Sequence, residues 1–262
     1  MREKHFGLGL FSLMVFVFLL GPLLIIFATS FEPGIVLQFP PHGFSLRWYE
    51  QIFKVEGFIR TFKTSIAISL LGNAFALLLG IPAAYALSRS SFRGKELLNG
   101  IFLSPILIPG IVLGFTLMKY LIVVYHLPMY TGLLIGHVVI MLPFIVRVVA
   151  SSLSNFDFAV EEAALSLGAG RMKAFFKVVL PNIRSGIIAA MLIAFLESFN
   201  NIDISVYMTG PGVSTLPIEM LTYVENHFDP TIAAISVLLM VMTGVMMFLI
   251  ERLMGLSHFT SR

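Results

Sequence analysis

The sequence contains no cysteine among its 262 residues, and only 12% of its residues are charged. The first absence excludes a disulfide scaffold and any cysteine-ligated metal site. The second leaves about half the charge of an ordinary soluble domain, in which about 25% of residues are charged. Because 58% of the residues are hydrophobic, a disordered chain is excluded as well. The composition therefore predicts an integral membrane protein.

Motifs for enzymatic chemistry are also missing. Gly94-Lys95 is followed by Glu96, so the chain has no G-x-x-x-x-G-K-[ST] loop to hold the phosphates of a nucleotide. It has no H-E-x-x-H or G-x-S-x-G motif, and its six histidines are scattered singly. We therefore expect no catalytic residue and no metal in this chain. If it drives transport, the energy comes from a partner or from an ion gradient.

Long runs without Asp, Glu, Lys or Arg predict membrane-spanning helices, because about 20 apolar residues cross roughly 30 Å of hydrocarbon. Five such runs cover residues 6–31, 64–88, 97–118, 120–146 and 230–250. The first run is too long for a secretory signal and lacks a small-x-small cleavage site, so we expect it to be retained. We predict an all-α membrane protein with one domain over 1–262, six spans and a cytoplasmic loop at 153–183. The spans are expected at about 7–29, 62–88, 97–118, 130–152, 184–208 and 230–252.

Orientation follows from the distribution of Lys and Arg, which are enriched on the cytoplasmic side of a membrane. With a cytoplasmic N terminus, twelve of the 17 basic residues lie inside. The inner residues are Arg2, Lys4, Arg89, Arg93, Lys95, Arg147, Arg171, Lys173, Lys177, Arg184, Arg252 and Arg262, and the outer ones are Arg47, Lys54, Arg60, Lys63 and Lys119. We therefore predict that both termini are cytoplasmic. The basic balance then reflects topology and gives no support to nucleic-acid binding.

The loop between the fourth and fifth spans has the pattern of a helical elbow. Ala159, Ala163 and Leu167 recur at helical spacing, and acidic residues in the opening turn favour a helix N terminus. Gly168 and Gly170 predict a left-handed helix end. A second short helix is expected over 171–180, with Lys173 and Lys177 exposed, until Pro181 stops it. Physical chemistry alone allows an amphipathic hairpin on anionic lipid or a docking lever for a cytosolic partner.

The motif within this elbow resembles a signature of ABC-importer permeases. Glu162-Ala163-Ala164, then Gly168, then Val178-x-Leu180-Pro181 is similar to the family pattern E-A-A-x3-G-x9-I-x-L-P, with Val178 in place of Ile. The resemblance implies a type I ABC importer permease fold and a short coupling helix that inserts into a groove on an ATPase subunit. It assigns ATPase coupling to Glu161, Glu162, Ala163, Ala164, Gly168, Ala169, Val178, Leu180 and Pro181.

Several shorter motifs resemble the permeases of spermidine/putrescine-type importers. They are Phe92-Arg-Gly-Lys95, Leu142-Pro-Phe144, Met208-Thr-Gly-Pro-Gly212, Thr215-Leu-Pro217 and Asp229-Pro230. The resemblance implies a multi-pass subunit of the bacterial inner membrane, in contact with lipid. Its implied partners are two copies of a cytoplasmic ABC ATPase that bind ATP and Mg, a second, non-identical permease, and an extracytoplasmic solute-binding protein. No cofactor is implied in this chain.

Polar residues in the predicted fifth span mark a candidate substrate path. Glu197, Asn200 and Asn201 stand at i, i+3 and i+4 on one helical face, with Asp203 about 120° away. They either line the pore or form a polar clamp to the second permease. Spermidine/putrescine-type permeases often have an acidic pair where this chain has Asn200-Asn201, which leaves room for a less charged amine, an amino-acid-like solute or a phosphonate. A further intramembrane residue, His137, is either a proton relay or ligand, or a hydrogen-bond partner of a neighbouring helix.

We therefore expect an importer permease that moves a small polar organic solute, polyamine-like or a related amine, from a binding protein into the cytoplasm. The alternative is a secondary transporter or channel subunit driven by an ion gradient. The single set of six helices and the absence of inverted repeats argue against that alternative. A scaffold without a transport role would not need Glu197 and Asp203 inside a span.

Overall fold

The computed structural model describes residues 3–254, with side chains described from 7 to 248 and at 251–252. Arg2, Lys4 and Arg262, which the charge argument counts as inner residues, lie outside the described residues or side chains. The helices are α1 (Glu3–Thr29), α2 (Arg47–Lys54), α3 (Glu56–Arg89), α4 (Lys95–Leu107), α5 (Gly110–Leu117), α6 (Met129–Ser154), α7 (Ala159–Ser166), α8 (Arg171–Ala174), α9 (Leu180–Asn182), α10 (Arg184–Phe199), α11 (Leu216–Asn226) and α12 (Thr231–Met254). Two π-helical segments, Met118–Val124 and Phe175–Val179, and one 3₁₀ turn, Ser205–Tyr207, complete them. Over residues 3–254 no β-strand forms, and the all-α prediction is confirmed.

Four helices are long and apolar enough to cross a membrane alone, and two bent pairs raise the number to six. The single helices are Gly7–Thr29, Glu56–Arg89, Met129–Ser154 and Thr231–Phe248. The third predicted span is not one straight helix, because Lys95–Leu107 and Gly110–Val124 meet at 101°. The helix of the fifth predicted span ends at Phe199 instead of 208 and meets Arg171–Asn182 at 73°.

The break in the third span has a local cause. Ile108 has extended backbone, with φ −89° and ψ 132°, because a residue that precedes proline is driven away from helical angles. Pro109 also lacks an N–H group for the helical hydrogen-bond ladder. The break could not be predicted from hydropathy, because Ile108 and Pro109 belong to a run that contains no charged residue.

The described chain forms two compact units. One contains the residues up to Arg60 together with Glu219–Gly244, and the other contains Thr61–Ile218 with the end of α12 from Val245. In the second unit, α3 packs closely on α6, because a Cβ atom at Gly80 would lie 2.7 Å from Cγ2 of Ile145. Small residues permit such close helix packing inside a membrane. All of the candidate functional residues lie in this second unit.

Candidate functional site

The segment from Phe158 to Pro181, which we call the elbow, has the helix–glycine–helix geometry expected from the sequence. Helix α7 ends at Ser166, and Gly168 follows with a φ of +88° in the left-handed region. Gly170 does not share this conformation: it has extended backbone, φ −68° and ψ 153°, and precedes α8. The second helical stretch continues through its π segment to Asn182, one residue beyond Pro181.

Glu161 connects the elbow to the end of α3. Its side chain is only 2% exposed, and its Oε1 accepts a hydrogen bond from the Tyr85 hydroxyl. Nε of Arg89 lies 3.3 Å from Oε2 of the same carboxylate, while Nη2 of Arg89 donates to Oε1 of Glu162 at 2.8 Å. The Arg89 guanidinium also lies 5.3 Å from the ring centroid of Phe158. One carboxylate of the elbow is therefore buried and held by two side chains of α3.

The other predicted coupling residues divide between surface and interior. Those exposed are Glu162, Ala163, Gly168 and Pro181, and those half-buried are Ala164, Ala169, Val178 and Leu180. Large apolar side chains stand exposed beside them, Leu167 at 89%, Met172 at 68% and Phe176 at 57%. Lys173 and Lys177 are exposed as predicted. The elbow thus presents an apolar surface with basic side chains, a composition compatible with both alternatives given above, anionic lipid and a cytosolic protein partner.

A cavity of about 540 Å³ opens between the elbow and the end of α3. Its lining residues are Pro82, Tyr85, Arg89, Ser90, Glu161, Leu165, Arg171, Met172, Phe175 and Phe176. Tyr85 belongs to none of the motifs in the sequence, and Arg89 entered the predictions only as a marker of topology. Their contacts with the elbow arise from the packing of α3 on a segment more than 70 residues away.

A second cavity brings together three of the four residues predicted for the substrate path. Glu197, Asn201 and Asp203 line this space of about 170 Å³, which we call the carboxylate cavity. Its remaining lining residues are Pro105, Ile106, Ile108, Gly110, Leu113, Ile140, Phe144 and Ile204. Asn200 is not among them: it is exposed, and its Nδ2 donates to the carbonyl oxygen of Leu196 at 3.1 Å.

The expectation that Glu197, Asn200 and Asn201 share a helical face is wrong, because α10 ends at Phe199. Asn200 is the C-terminal cap, and Asn201 uses its side-chain oxygen to accept the backbone N–H of Ile204 at 2.9 Å. The chain turns at this point, which brings Asp203 to the cavity that Glu197 also lines. On the continuous helix predicted from the sequence, Asp203 would lie about 120° away from the face that carries Glu197.

The break in the third span and the end of α10 meet at the carboxylate cavity. The break at Ile108–Pro109 contributes its flanking residues to the wall, and the turn after α10 contributes Asn201 and Asp203. Helix α5 and the turn that follows α10 can approach closely because Gly110 and Gly114 have no side chain. A Cβ atom at either position would collide with Asp203. In secondary transporters, broken helices of this kind commonly form the substrate and ion sites.

His137 lies next to this turn and hydrogen-bonds to neighbouring elements. Its Nδ1 is 2.8 Å from Oγ of Ser198, and its Nε2 is 3.2 Å from Oγ of Ser205. Of the two alternatives for His137, hydrogen bonding to a neighbouring helix is therefore the one observed. Among residues 3–254, no group of three or more His, Asp or Glu could hold a metal ion.

Comparison with known proteins identifies the family. Residues 76–257 match the family model described as "Binding-protein-dependent transport system inner membrane component". The chain is 29% identical over 241 residues to the spermidine/putrescine transport system permease protein PotC of Escherichia coli (strain K12), covering 91% of this chain and 90% of PotC. It is 30% identical over 250 residues to the putrescine transport system permease protein PotI of the same strain, covering 93% of this chain and 89% of PotI.

Solved structures of importers have the same fold. A bacterial ABC transporter that imports the acidic polysaccharide alginate aligns with a TM-score of 0.72 at 18% identity, covering 96% of this chain and 97% of that one. The MetNI methionine ABC transporter aligns with a TM-score of 0.63 at 20% identity, covering 79% and 97%. The predicted permease fold is therefore confirmed, and the relatives are transport subunits without enzymatic activity of their own. The chain belongs to the family of binding-protein-dependent transport system inner membrane components, the multi-pass permease subunits of bacterial ABC importers.

Proposed function

We propose that this permease imports a cationic amine of the polyamine class into the cytoplasm. The observation that carries the proposal is the carboxylate cavity, in which Glu197 and Asp203 stand where the break in the third span meets the end of α10. Neither carboxylate forms an ion pair with a described Lys, Arg or His side chain, and no basic residue is among those that line the cavity. The negative charge is therefore available to a ligand.

The energetics favour a cationic occupant. A carboxylate at membrane depth costs about 2.5–3.5 kcal/mol on insertion scales, and a neighbouring positive charge offsets that cost. Apolar side chains such as Ile106, Leu113 and Phe144 form the rest of the wall. An ammonium group joined to methylenes satisfies both surfaces, whereas a phosphonate would meet two like charges. The names of PotC and PotI, which refer to spermidine and putrescine, independently support an amine.

The elbow supplies the coupling in this proposal. Its exposed apolar and basic surface docks on one of two cytoplasmic ATPase copies, which bind ATP and Mg, and both termini of the permease face the same compartment. Movement of the elbow reaches α3 through the contacts of Glu161 with Tyr85 and Arg89. The second permease is a non-identical subunit, and a solute-binding protein delivers the amine from the other side.

Amide substitutions in the carboxylate cavity test the proposed substrate. Glu197→Gln and Asp203→Asn keep side-chain shape and remove one charge each. We expect each to lower uptake of radiolabelled putrescine about tenfold or more in cells that express the whole importer, because one charged hydrogen bond contributes about 1.5–3 kcal/mol. Purified complexes should keep their subunit composition and basal ATP hydrolysis.

The matched control is Glu225→Gln, which makes the same exchange at an exposed position of α11. It should leave uptake unchanged. Loss of the second permease from the purified Glu197→Gln complex would assign Glu197 to the subunit interface and contradict its role in the cavity. Undiminished putrescine uptake by both cavity variants would rule out the cationic substrate.

A further inference from the structure

A buried histidine spans the interruption of the fifth predicted span. Ser198 is the penultimate residue of α10, and Ser205 begins the 3₁₀ turn after the break. His137, from α6, lies between them, with Nδ1 2.8 Å from Oγ of Ser198 and Nε2 3.2 Å from Oγ of Ser205. Each of these three residues is 2% exposed or less. We call this arrangement the His137 bridge.

The direction of each hydrogen bond can be assigned from the partners. The Ser205 hydroxyl donates to the backbone carbonyl of Asn201 at 2.8 Å, so its oxygen accepts from His137 Nε2–H. In a neutral imidazole the other nitrogen is then an acceptor, and it receives the Ser198 hydroxyl proton. The Ser198 oxygen in turn accepts from Ser69 of α3 at 3.0 Å. Each of the three serine hydroxyls in this hydrogen-bond network therefore donates to an acceptor: Ser69 to Ser198, Ser198 to His137, and Ser205 to the carbonyl of Asn201.

The His137 bridge can affect the positions of Glu197 and Asp203 because these two residues lie on either side of the end of α10, which the bridge also spans. Glu197 precedes Ser198 in α10, and Asp203 lies in the turn that ends at Ser205. Asn201 fixes that turn twice, through its carbonyl to Ser205 and through its side chain to the N–H of Ile204. A side chain that joins Ser198 to Ser205 therefore limits how far the two carboxylates can move apart.

We propose that His137 is a positioning residue that sets the separation of Glu197 and Asp203 in the carboxylate cavity. This inference rests on the proposed function, because the separation of the two carboxylates matters only if they bind the amine that is transported. Neutral His137 acts through Ser198 and Ser205 and does not itself touch the substrate. Its chemistry is that of a rigid two-ended hydrogen-bond partner, which suits a link between two segments with no continuous helix between them.

Two variants remove the bridge and one provides a matched control. Ser205→Ala removes its far end with the least change in volume, and His137→Leu removes both ends. Ser69→Ala deletes a hydroxyl of equal burial on the near side only, where it contacts Ser198 but nothing beyond the break. His137→Gln restores an N–H donor in the neighbourhood of Ser205 and serves as the conservative replacement.

The first measurement is the distance across the break. Because the chain has no cysteine, Ile193→Cys and Val206→Cys introduce the only two thiols of this chain, at exposed positions on either side of the break, for spin labels; the chain is labelled before it is assembled with its partners. In the complete importer we expect a narrow distance distribution, broadened at least twofold by Ser205→Ala and His137→Leu. Ser69→Ala and His137→Gln should stay near the parent width. An unchanged width in Ser205→Ala would overturn the inference.

The second measurement is the amount of putrescine imported per ATP hydrolysed in proteoliposomes. Loss of one buried hydrogen bond should lower this ratio about fivefold, with basal hydrolysis and assembly unchanged. Ratios within twofold of the Ser69→Ala control would contradict the positioning role. Glu197→Gln and Asp203→Asn are measured in parallel: if both import putrescine normally, the proposed substrate is wrong, and the spin-label widths still decide whether His137 holds the break together.

Discussion

Gly168 is the residue at which the elbow depends on a backbone that other residues resist. Its φ of +88° lies in the left-handed region, where a β-branched side chain costs about 1–2 kcal/mol or more. Gly168→Val should therefore displace the exposed α7 surface without affecting membrane insertion. We expect weakened ATPase association in co-purification and a loss of most uptake at normal expression.

Gly170 provides the matched control for this substitution. It stands two residues away with open space around it, as at Gly168, but its backbone is extended. Gly170→Val should keep ATPase association within about twofold of the parent, because extended angles suit a β-branched residue. Equal effects of the two substitutions would show that the left-handed backbone is not what coupling requires.

Glu32, in the loop that follows α1, gives a pH-dependent prediction at the residue scale. Its carboxylate accepts the backbone N–H groups of His42 at 2.8 Å and of Gly34 at 2.9 Å, and these bonds hold its pKa below the usual 4.5. Because the folded pKa is lowered, the stabilisation is complete above the unfolded pKa and is lost as the pH falls through the lowered value. Glu32→Gln should speed hydrogen exchange in residues 31–45 several-fold at pH 7.

The same measurement at acid pH provides the check. Below the lowered pKa the parent carboxyl is neutral as well, so the difference in exchange, corrected for intrinsic rates, should disappear. Glu50→Gln, an exposed exchange on α2, should have no effect at either pH. A Glu32→Gln effect that persists undiminished in acid would contradict an origin in the charge.

At the scale of elements, α3 contacts the elbow through Tyr85 and Arg89, which both bind the Glu161 carboxylate. Tyr85→Phe removes only the hydroxyl that donates to buried Glu161. An acceptor left unsatisfied in the interior costs about 1–3 kcal/mol. We expect the purified importer to melt a few degrees lower and to import less solute per ATP.

Tyr125→Phe is the control for this prediction. The Tyr125 side chain is 69% exposed, so the loss of its hydroxyl should leave both Tm and the coupling ratio unchanged. If Tyr85→Phe lowers Tm but couples normally, its bond to Glu161 is structural only, and the proposed path from the elbow to α3 is wrong.

The helices that can be predicted from the sequence are those that composition alone determines. Apolar runs locate α1, α3, α6 and α12 because span length and hydropathy are properties of the residues themselves. The breaks at Ile108–Pro109 and after Phe199 were not predicted. An apolar run reads the same whether its helix is straight or bent, and Pro occurs inside α3 and α6 as well.

In the candidate site, too, residue types could be predicted from the sequence, whereas the way the fold brings them together could not. Glu197 and Asp203 were identified because charges are rare within a span, but their common cavity required the turn at Asn200 and Asn201. Asn at a helix end was the available signal, since Asn favours caps over helix interiors. Tyr85 carried no signal at all, because its partner Glu161 is brought to it by tertiary packing.

At the scale of the whole molecule, orientation remains a prediction from the Lys and Arg distribution. A reporter that is active only outside the cytoplasm should be active when fused near residue 215 and silent near residues 95 and 165. The reason is that the segment from 210 to 230 contains no Lys or Arg, whereas the segments around residues 95 and 165 each contain three. The opposite pattern of activity would invert the topology and place the elbow away from any cytoplasmic ATPase.

The most direct test of the central claim is solute accumulation by the complete importer in proteoliposomes, with ATP and binding protein supplied on chosen sides. We predict that putrescine accumulates only when Mg-ATP is inside the vesicle and the binding protein is outside, and that Asp203→Asn lowers accumulation about tenfold or more without abolishing ATP hydrolysis. Accumulation without ATP, driven by an imposed proton or sodium gradient, would contradict the account and favour a secondary transporter.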